Sequence, residues 1–230
     1  MAVVRVLGFA TVCGAAALGA LGQALAGPIS QGLLFVSNEA SRDVTVVRLA
    51  DLKVIATIPT GERPRGIQVS PDQRRVYVAL SDSIPTVRSA GDAIGVIDVA
   101  TRRLVARYPA GTDPEQFVVT PDGAKIYAAN EDAGTASAIN VRTGRVSETM
   151  AVGIEPEGVA VSPDGRWIYV TAETSNTVSV IEAPTDRVVA SFLVDVRPRA
   201  AAFAPNGIVA TTSRVCVSTT LTDPPISAVT

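Results

Sequence analysis

The chain has 230 residues, 47% of them hydrophobic, and its 22 acidic and 20 basic residues give a formal net charge of −2. This balance argues against an electrostatic nucleic-acid binder, which would carry a basic stripe. The chain has no histidine. That absence excludes Ser-His-Asp and Cys-His catalytic arrangements, histidine-ligated zinc and histidine-ligated haem.

The first segment, residues 1–26, is typical of a secretory signal peptide. Arg5 supplies the positive start, residues 6–21 form an apolar run, and Ala24-Leu25-Ala26 matches a cleavage site. A membrane anchor is the alternative, but glycines interrupt the run and weaken it as a spanning helix. The sequence therefore predicts a periplasmic protein that begins at Gly27 and has no later membrane span.

The rest of the chain is built from a repeat of about 42 residues. An aromatic residue recurs at Phe35, Tyr77, Tyr127 and Tyr169, with separations of 42, 50 and 42 residues. A complete unit contains four short runs of β-branched and aromatic residues cut by Pro, Gly, Asn and Asp, which is the signature of strands and turns. Four strands in about 40–45 residues make one blade of a β-propeller. The predicted fold is therefore all-β, with four-stranded antiparallel blades.

The repeat also predicts individual strands and their core. Strands are expected at residues 66–70, 76–80, 94–99 and 104–108, with equivalents that begin at 116, 126, 136 and 146 and at 158, 167, 177 and 188. The three tyrosines are expected to be buried between blades. Beneath them we expect the isoleucines of the third strand: Ile97, Ile139 and Ile181.

The first, second and fifth units depart from the pattern. Nothing before residue 33 matches an inner strand for the first unit. The second unit carries eight extra residues within 81–92, which we interpret as a tolerated loop or a lid. The fifth unit starts at 199–203, but Asp223, Pro224 and Pro225 occupy positions where the pattern requires a strand.

These departures predict three segments: a signal peptide at 1–26, propeller repeats at 27–207, and an aberrant, disordered tail at 208–230. We expect an incomplete arc of about four blades, because a seven-bladed ring needs roughly 320 residues at this repeat length. The alternative is a closed four-bladed ring, in which residues 199–203 complete the first unit.

One polar pattern recurs at the linker that enters each inner strand, beside the expected mouth of the central channel. Each linker carries a proline between two charged residues, in the order RPR, DPE, EPE and RPR. The candidate binding residues are Arg63, Arg65, Asp113, Glu115, Glu155, Glu157, Arg197 and Arg199. Loop residues that include Glu39, Glu131 and Glu173 are expected on the same face. The alternative interpretation is inter-blade salt bridges and solvated loops.

The strands RVYVAL, KIYAAN and WIYVTA, each after an SPD- or TPD-type turn, resemble the YVTN family of β-propeller repeats. The linkers GERPRGIQVSPD, GTDPEQFVVTPDG, GIEPEGVAVSPDG and VDVRPRAAAFAPNG are similar to those of propeller proteins associated with PQQ-dependent catabolism. The likeness covers roughly residues 33–207. It implies an exported protein linked to quinoprotein alcohol oxidation, with no catalytic residue, metal or cofactor to carry over.

The sequence therefore predicts a non-enzymatic binding or scaffold propeller whose partner is a periplasmic protein or a small polar metabolite. The second interpretation is a propeller enzyme of the metal-dependent lactonase type, which holds Ca²⁺ in its channel. Such an enzyme would project acidic or amide residues from its inner strands, and here these strands are nearly apolar. A third is a surface-layer or adhesive repeat protein.

Overall fold

The fold is known from a computed structural model that describes residues 3–6, 32–81, 91–204, 209–212 and 220–221. These residues form strands and turns, with no helix among them. The strands make five separate sheets, and consecutive sheets pack through their inner strands. The sheets do not close into a ring. The prediction of an all-β, incomplete propeller arc is confirmed.

Three sheets are complete antiparallel blades, each with its strands in chain order. The second blade contains β5 (Arg63–Val69), β6 (Arg75–Ser81), β7 (Ala93–Asp98) and β8 (Arg103–Pro109). The third contains β9 (Pro114–Val119), β10 (Lys125–Asn130), β11 (Thr135–Asn140) and β12 (Arg145–Ala151). The fourth contains β13 (Pro156–Val161), β14 (Trp167–Ala172), β15 (Thr177–Glu182) and β16 (Arg187–Leu193). The predicted strands are present, and most of the predicted insertion, at 82–90, lies outside the described residues.

The first sheet contains β1 (Val3–Val6), β2 (Gly32–Asn38), β3 (Asp43–Arg48) and β4 (Lys53–Pro59). Here β1 pairs in parallel with β2, whereas the inner strands of the complete blades pair antiparallel. This β1 lies within the predicted signal peptide, whose other residues lie outside the described part. Cleavage after residue 26 would therefore remove the strand that covers β2.

The fifth sheet contains β17 (Ala200–Phe203), β18 (Val209–Thr212) and β19 (Thr220–Leu221). The sequence predicts only an inner strand for this unit, but β18 and β19 extend it as an antiparallel sheet. The other residues of the predicted tail at 208–230 lie outside the described residues.

The core lies between blades, and the predicted burial of the repeat landmarks is confirmed. Tyr77, Tyr127 and Tyr169 are at most 4% exposed, and the three isoleucines are fully buried. Their expected pairing within one blade is wrong. Each isoleucine shares a cluster with the aromatic of the preceding blade, as Ile139 does with Tyr77. The reason is register: Tyr77 pairs with Val96, so the next residue, Ile97, points to the opposite face of the sheet.

The turn between the first two strands of each blade is closed by its own side chains. In the third blade the Thr120 hydroxyl donates to the Asp122 carboxylate at 2.6 Å and accepts from the Lys125 amide at 3.0 Å. The same carboxylate accepts from the Ala124 amide at 3.0 Å. Ser70 with Asp72 and Ser162 with Asp164 repeat this arrangement. These hydroxyls are therefore turn residues, as the sequence predicts.

Candidate functional site

In the second, third and fourth blades the proline of the charged motif lies within the first two residues of an inner strand, whereas Pro198 precedes β17. Pro64 pairs with Leu80, Pro114 with Asn130 and Pro156 with Ala172. The inner strands consequently begin two or three residues earlier than predicted. Proline is tolerated here because the position is at the beginning of an edge strand and is followed by a register shift. The charged residues on either side of each proline are thus anchored to a sheet.

Three residues before these prolines have left-handed backbones: Asp113 with φ 53°, Glu155 with φ 54° and Arg197 with φ 58°. This conformation is unfavourable for a non-glycine residue before proline. A loop amide offsets part of the cost in two blades. The Glu131 amide donates to the Asp113 carbonyl at 3.0 Å, and the Glu173 amide donates to the Glu155 carbonyl at 2.8 Å. The motif and the loop between strands two and three are therefore fixed together.

Hydroxyl groups of the preceding blade also hold the motif in place. Ser37 on β2 donates to the carbonyl of Arg65 at 2.9 Å. Ser81 on β6 donates to the carbonyl of Pro114 at 2.9 Å. These contacts cross from the first blade to the second and from the second to the third. They give the charged side chains of adjacent blades a defined spacing.

The first group of charges, which we call the acid-rich cluster, joins the first three blades. Its members are Glu39, Arg63, Arg65, Asp113, Glu115 and Glu131, with a formal net charge of −2. Arg63 lies 3.0 Å from Glu39 and 3.4 Å from Asp113. Arg65 lies 3.5 Å from Glu39 and also contacts Glu115. The two arginines thus contact three of the four carboxylates, and Glu131 is the one without an arginine contact among the described residues.

Glu115 lies at the centre of the acid-rich cluster. It is 5% exposed, and one oxygen from each of Asp113, Glu115 and Glu131 lies within 4.8 Å of the other two. Burial, together with a hydrogen bond to Glu131, raises the pKa of Glu115 to about 8, although Arg65 opposes this shift. The acid-rich cluster therefore contains a carboxyl group that ionises far less readily than a solvated glutamate.

The second group, which we call the balanced cluster, joins the fourth and fifth sheets. Its members are Glu157, Glu173, Arg197 and Arg199, with a formal net charge of zero. Glu173 is 1% exposed and contacts both arginines. Arg199 also lies 3.3 Å from Glu157. Burial raises the pKa of Glu157, and Arg199 opposes the rise. Every carboxylate in this cluster has a cation beside it.

The structure brings seven of the eight predicted residues into these clusters. The exception is Glu155, whose carboxylate accepts a hydrogen bond from Thr174. Three cluster members lie outside the predicted set, although the sequence places them on this face: Glu39, Glu131 and Glu173. The 42-residue spacing between Glu131 and Glu173 was the available signal. Glu131 also connects the clusters, because its charge contributes to the raised pKa of both Glu115 and Glu157.

No helix among the described residues is long and apolar enough to span a membrane. The arrangement offers charged side chains on one face, with two carboxylates, Glu115 and Glu173, almost fully buried at its base. Such a face can bind a polar or charged partner through charge-assisted hydrogen bonds.

Comparisons with solved structures support the fold. Hydrazine synthase from Kuenenia stuttgartiensis aligns with a TM-score of 0.52 at 18% identity, over 82% of this chain and 80% of that one. A functionally unknown protein from Desulfotomaculum acetoxidans DSM 771 aligns with a TM-score of 0.65 at 12% identity, over 82% of this chain and 65% of that one. This chain thus spans just under two thirds of the second protein. At these identities the likeness concerns the fold alone.

A search of curated proteins gave no significant match. The family model of the choice-of-anchor I domain matches residues 36–192, which is more than half of the chain. The match runs from within β2 to within β16 and includes the whole acid-rich cluster, together with Glu157 and Glu173 of the balanced cluster. The chain belongs to the choice-of-anchor I domain family.

Proposed function

We propose that this chain is an exported, non-enzymatic β-propeller that binds a protein or a small polar metabolite in PQQ-dependent alcohol oxidation. The binding face is formed by the acid-rich and balanced clusters. The observation that carries the proposal is the placement of ten charged side chains along one face by the starts of the inner strands and the adjacent loops. The YVTN-like strands and the order of the proline motifs support the link to quinoprotein systems.

The strained backbone supports binding at this face. Left-handed residues before proline cost on the order of 1–3 kcal/mol each and are frequent where function needs a fixed geometry. Here they occur at three proline motifs in succession. The buried ends of Glu115 and Glu173 favour the same interpretation, because a charge is costly to bury unless the site uses or compensates it.

The test is a pull-down with the full-length protein from the periplasm of cells grown on an alcohol. A double variant, Glu115→Lys with Glu157→Lys, reverses charge at equivalent positions of two blades. We expect the wild type to recover a quinoprotein dehydrogenase or its electron-transfer partner and the variant to lose it. With the isolated partner, the variant should change the association rate and its salt dependence.

A control variant separates this face from general surface charge. Glu148→Lys changes an exposed position on the outer strand β12 and should leave the recovery unchanged. Equal recovery by wild type and double variant would contradict a role for this face. Recovery that does not depend on growth on alcohol would contradict the link to quinoprotein oxidation.

The second candidate is a propeller enzyme of the metal-dependent lactonase type, favoured only by the closeness of carboxylates at the mouth. Calorimetric titration with Ca²⁺ distinguishes the two functions. Heat at millimolar metal, accompanied by lactone hydrolysis, would support the enzyme. We expect neither, because Arg65 and Arg63 already neutralise part of this carboxylate charge.

A further inference from the structure

The acid-rich cluster contains four carboxylates and two arginines, and one oxygen from each of Asp113, Glu115 and Glu131 lies within 4.8 Å of the other two. We propose that Glu115 and Glu131 form a proton-binding pair that holds one proton in the folded protein at neutral pH and releases it to solvent as the pH rises. The pair is a feature of the chain itself. It goes beyond the proposed binding function and does not depend on the identity of a partner.

The first argument is the closeness of the carboxyl groups. One oxygen from each of Asp113, Glu115 and Glu131 lies within 4.8 Å of the other two, and Glu115 is only 5% exposed. An ionised carboxylate only accepts hydrogen bonds, so ionised groups this close repel each other with no donor between them. A proton on Glu115 supplies a donor and removes one of the negative charges. Carboxyl pairs in other proteins share a proton for the same reason, since two like charges at this distance cannot both be ionised cheaply.

The second argument is the set of charges that face Glu115. Arg65 on β5 is the cation in contact with it, and Arg65 is also shared with Glu39. Asp113 and Glu131 add negative charge from its own strand and from the loop after β10. Farther from Glu115, the charged groups on the adjoining elements are Arg63, Asp92 and Glu157. The surroundings are thus negative overall, which favours retention of a proton.

The third argument is the contrast with the next blade. Glu157 and Glu173 stand 42 residues after Glu115 and Glu131 and occupy the same places in the repeat. There the loop glutamate, Glu173, contacts two arginines, so both carboxylates are neutralised by cations. No arginine contact with Glu131 occurs among the salt bridges of the described residues. A proton takes the place of the missing cation.

The direction of the pH effect follows from the raised pKa of Glu115. Its ordinary value is 4.5, and burial with Glu131 beside it raises the folded value to about 8. A raised folded pKa means that the folded protein binds the proton more tightly than the unfolded chain. The stabilising contribution is complete below about pH 4.5 and is lost as the pH rises toward about 8.

The experiment is the thermal midpoint of the full chain between about pH 5 and 9 in the presence of a chelator, by circular dichroism. We expect the wild-type midpoint to fall across this range. Glu115→Gln should flatten the profile, because it removes the group whose pKa is raised. Glu131→Gln should reduce the slope, because it removes a neighbouring negative charge while Glu115 stays buried. Glu148→Gln, an exposed change on β12, should leave the slope unchanged.

A direct measurement guards against variants that do not fold. ¹³C NMR of side-chain carboxyl groups in the wild type should show one glutamate that titrates near pH 8. That signal should be absent in Glu115→Gln, and in Glu131→Gln its titration should move toward the ordinary range. If all carboxyl groups titrate in the ordinary range, or if the slope persists in both amide variants, the proton pair is wrong. A midpoint that CaCl₂ alone raises and makes independent of pH would assign the cluster to a cation and would overturn the proposal.

Discussion

The acid-rich cluster and the balanced cluster lie at equivalent places of the same repeat, yet the charge of their buried carboxylates is compensated differently. In the balanced cluster Glu173 contacts two arginines of the segment that leads into the next sheet. In the acid-rich cluster the equivalent residue, Glu131, precedes a blade whose motif carries Glu155 and Glu157 instead of arginines. Both blades have a glutamate in this loop, Glu131 in one and Glu173 in the other. The charges that flank the next proline differ in sign: they are negative after Glu131 and positive after Glu173.

The difference shows that the repeat determines where these side chains lie, whereas their charges can vary from blade to blade. Strand spacing, the edge proline and the loop amide are shared by the third and fourth blades. Where glutamates replace the arginines on both sides of the next proline, the loop glutamate has no arginine contact among the described residues, and the pKa of the neighbouring Glu115 is raised. Propeller blades can therefore diversify a charged mouth without changes to the core beneath it.

The largest expected effect concerns that core. Tyr127→Ala and Tyr169→Ala should each lower the free energy of unfolding by about 3–5 kcal/mol, because each removes a buried aromatic from an inter-blade cluster. The comparison of the two clusters assumes that the packing beneath them is equivalent. The urea midpoint of each variant measures its loss of unfolding free energy and so tests that assumption. An unchanged midpoint in either would show that the two interfaces are not built alike.

Tyr127→Phe is the control for that pair. The single hydroxyl hydrogen of Tyr127 has two acceptors within reach, the Asp186 carboxylate and the carbonyl of Ala183 at 3.1 Å. Tyr169 instead packs edge-on against Phe203, with 5.1 Å between the ring centroids. Removal of the hydroxyl alone should cost about 1–2 kcal/mol. A cost as large as that of the alanine variant would mean that the hydrogen bonds, and not the ring, hold the interface.

The second effect tests the comparison itself. Glu173→Gln should destabilise the protein by about 3 kcal/mol, since it removes the buried partner of two arginines. At pH 9, above the folded pKa of Glu115, the equivalent change Glu131→Gln should be neutral or stabilising, by less than about 1 kcal/mol, because it relieves repulsion. Urea unfolding at that pH measures both. Equal losses in the two variants would remove the distinction between the clusters.

Sequence spacing predicted much of the fold because the repeat is regular. The positions of the tyrosines predicted the strands and the buried residues. Spacing along the chain does not say which neighbour a side chain meets, so Ile139 was expected beneath Tyr127 and lies with Tyr77. The alternation of side chains along β6 and β7 contains that information. Proline within a strand was also missed, because only an edge position with a register shift tolerates it.

The candidate site was predicted as a list of motif residues, and its central contact was not. The pairing of Glu115 with Glu131 depends on how a loop folds back on an inner strand, which linear spacing does not contain. Glu155 was included because it flanks a proline, but its carboxylate bonds to Thr174 and not to an arginine of either cluster. The sequence therefore predicts which face of the protein carries these charged residues. Only the structure shows which of them contact each other.

The smallest expected effect concerns the turn aspartates, which affect stability in acid and not near neutral pH. Hydrogen bonds from the turn hydroxyl and then from a backbone amide lower the pKa of Asp72, Asp122 and Asp164. A lowered folded pKa gives stability that is present above the ordinary value of 3.8 and is lost as the pH falls through the folded value.

This sign is opposite to that of the proton pair. Asp122→Asn should therefore weaken the loss of stability in acid and leave the fall between neutral pH and pH 9 unchanged, as measured by thermal midpoints. Because the three turns are alike, each single variant should have a similar and small effect. Asp122→Asn could instead also abolish the fall of the thermal midpoint between neutral pH and pH 9. That fall would then not arise from the acid-rich cluster, and the assignment of the proton to Glu115 and Glu131 would lose its support.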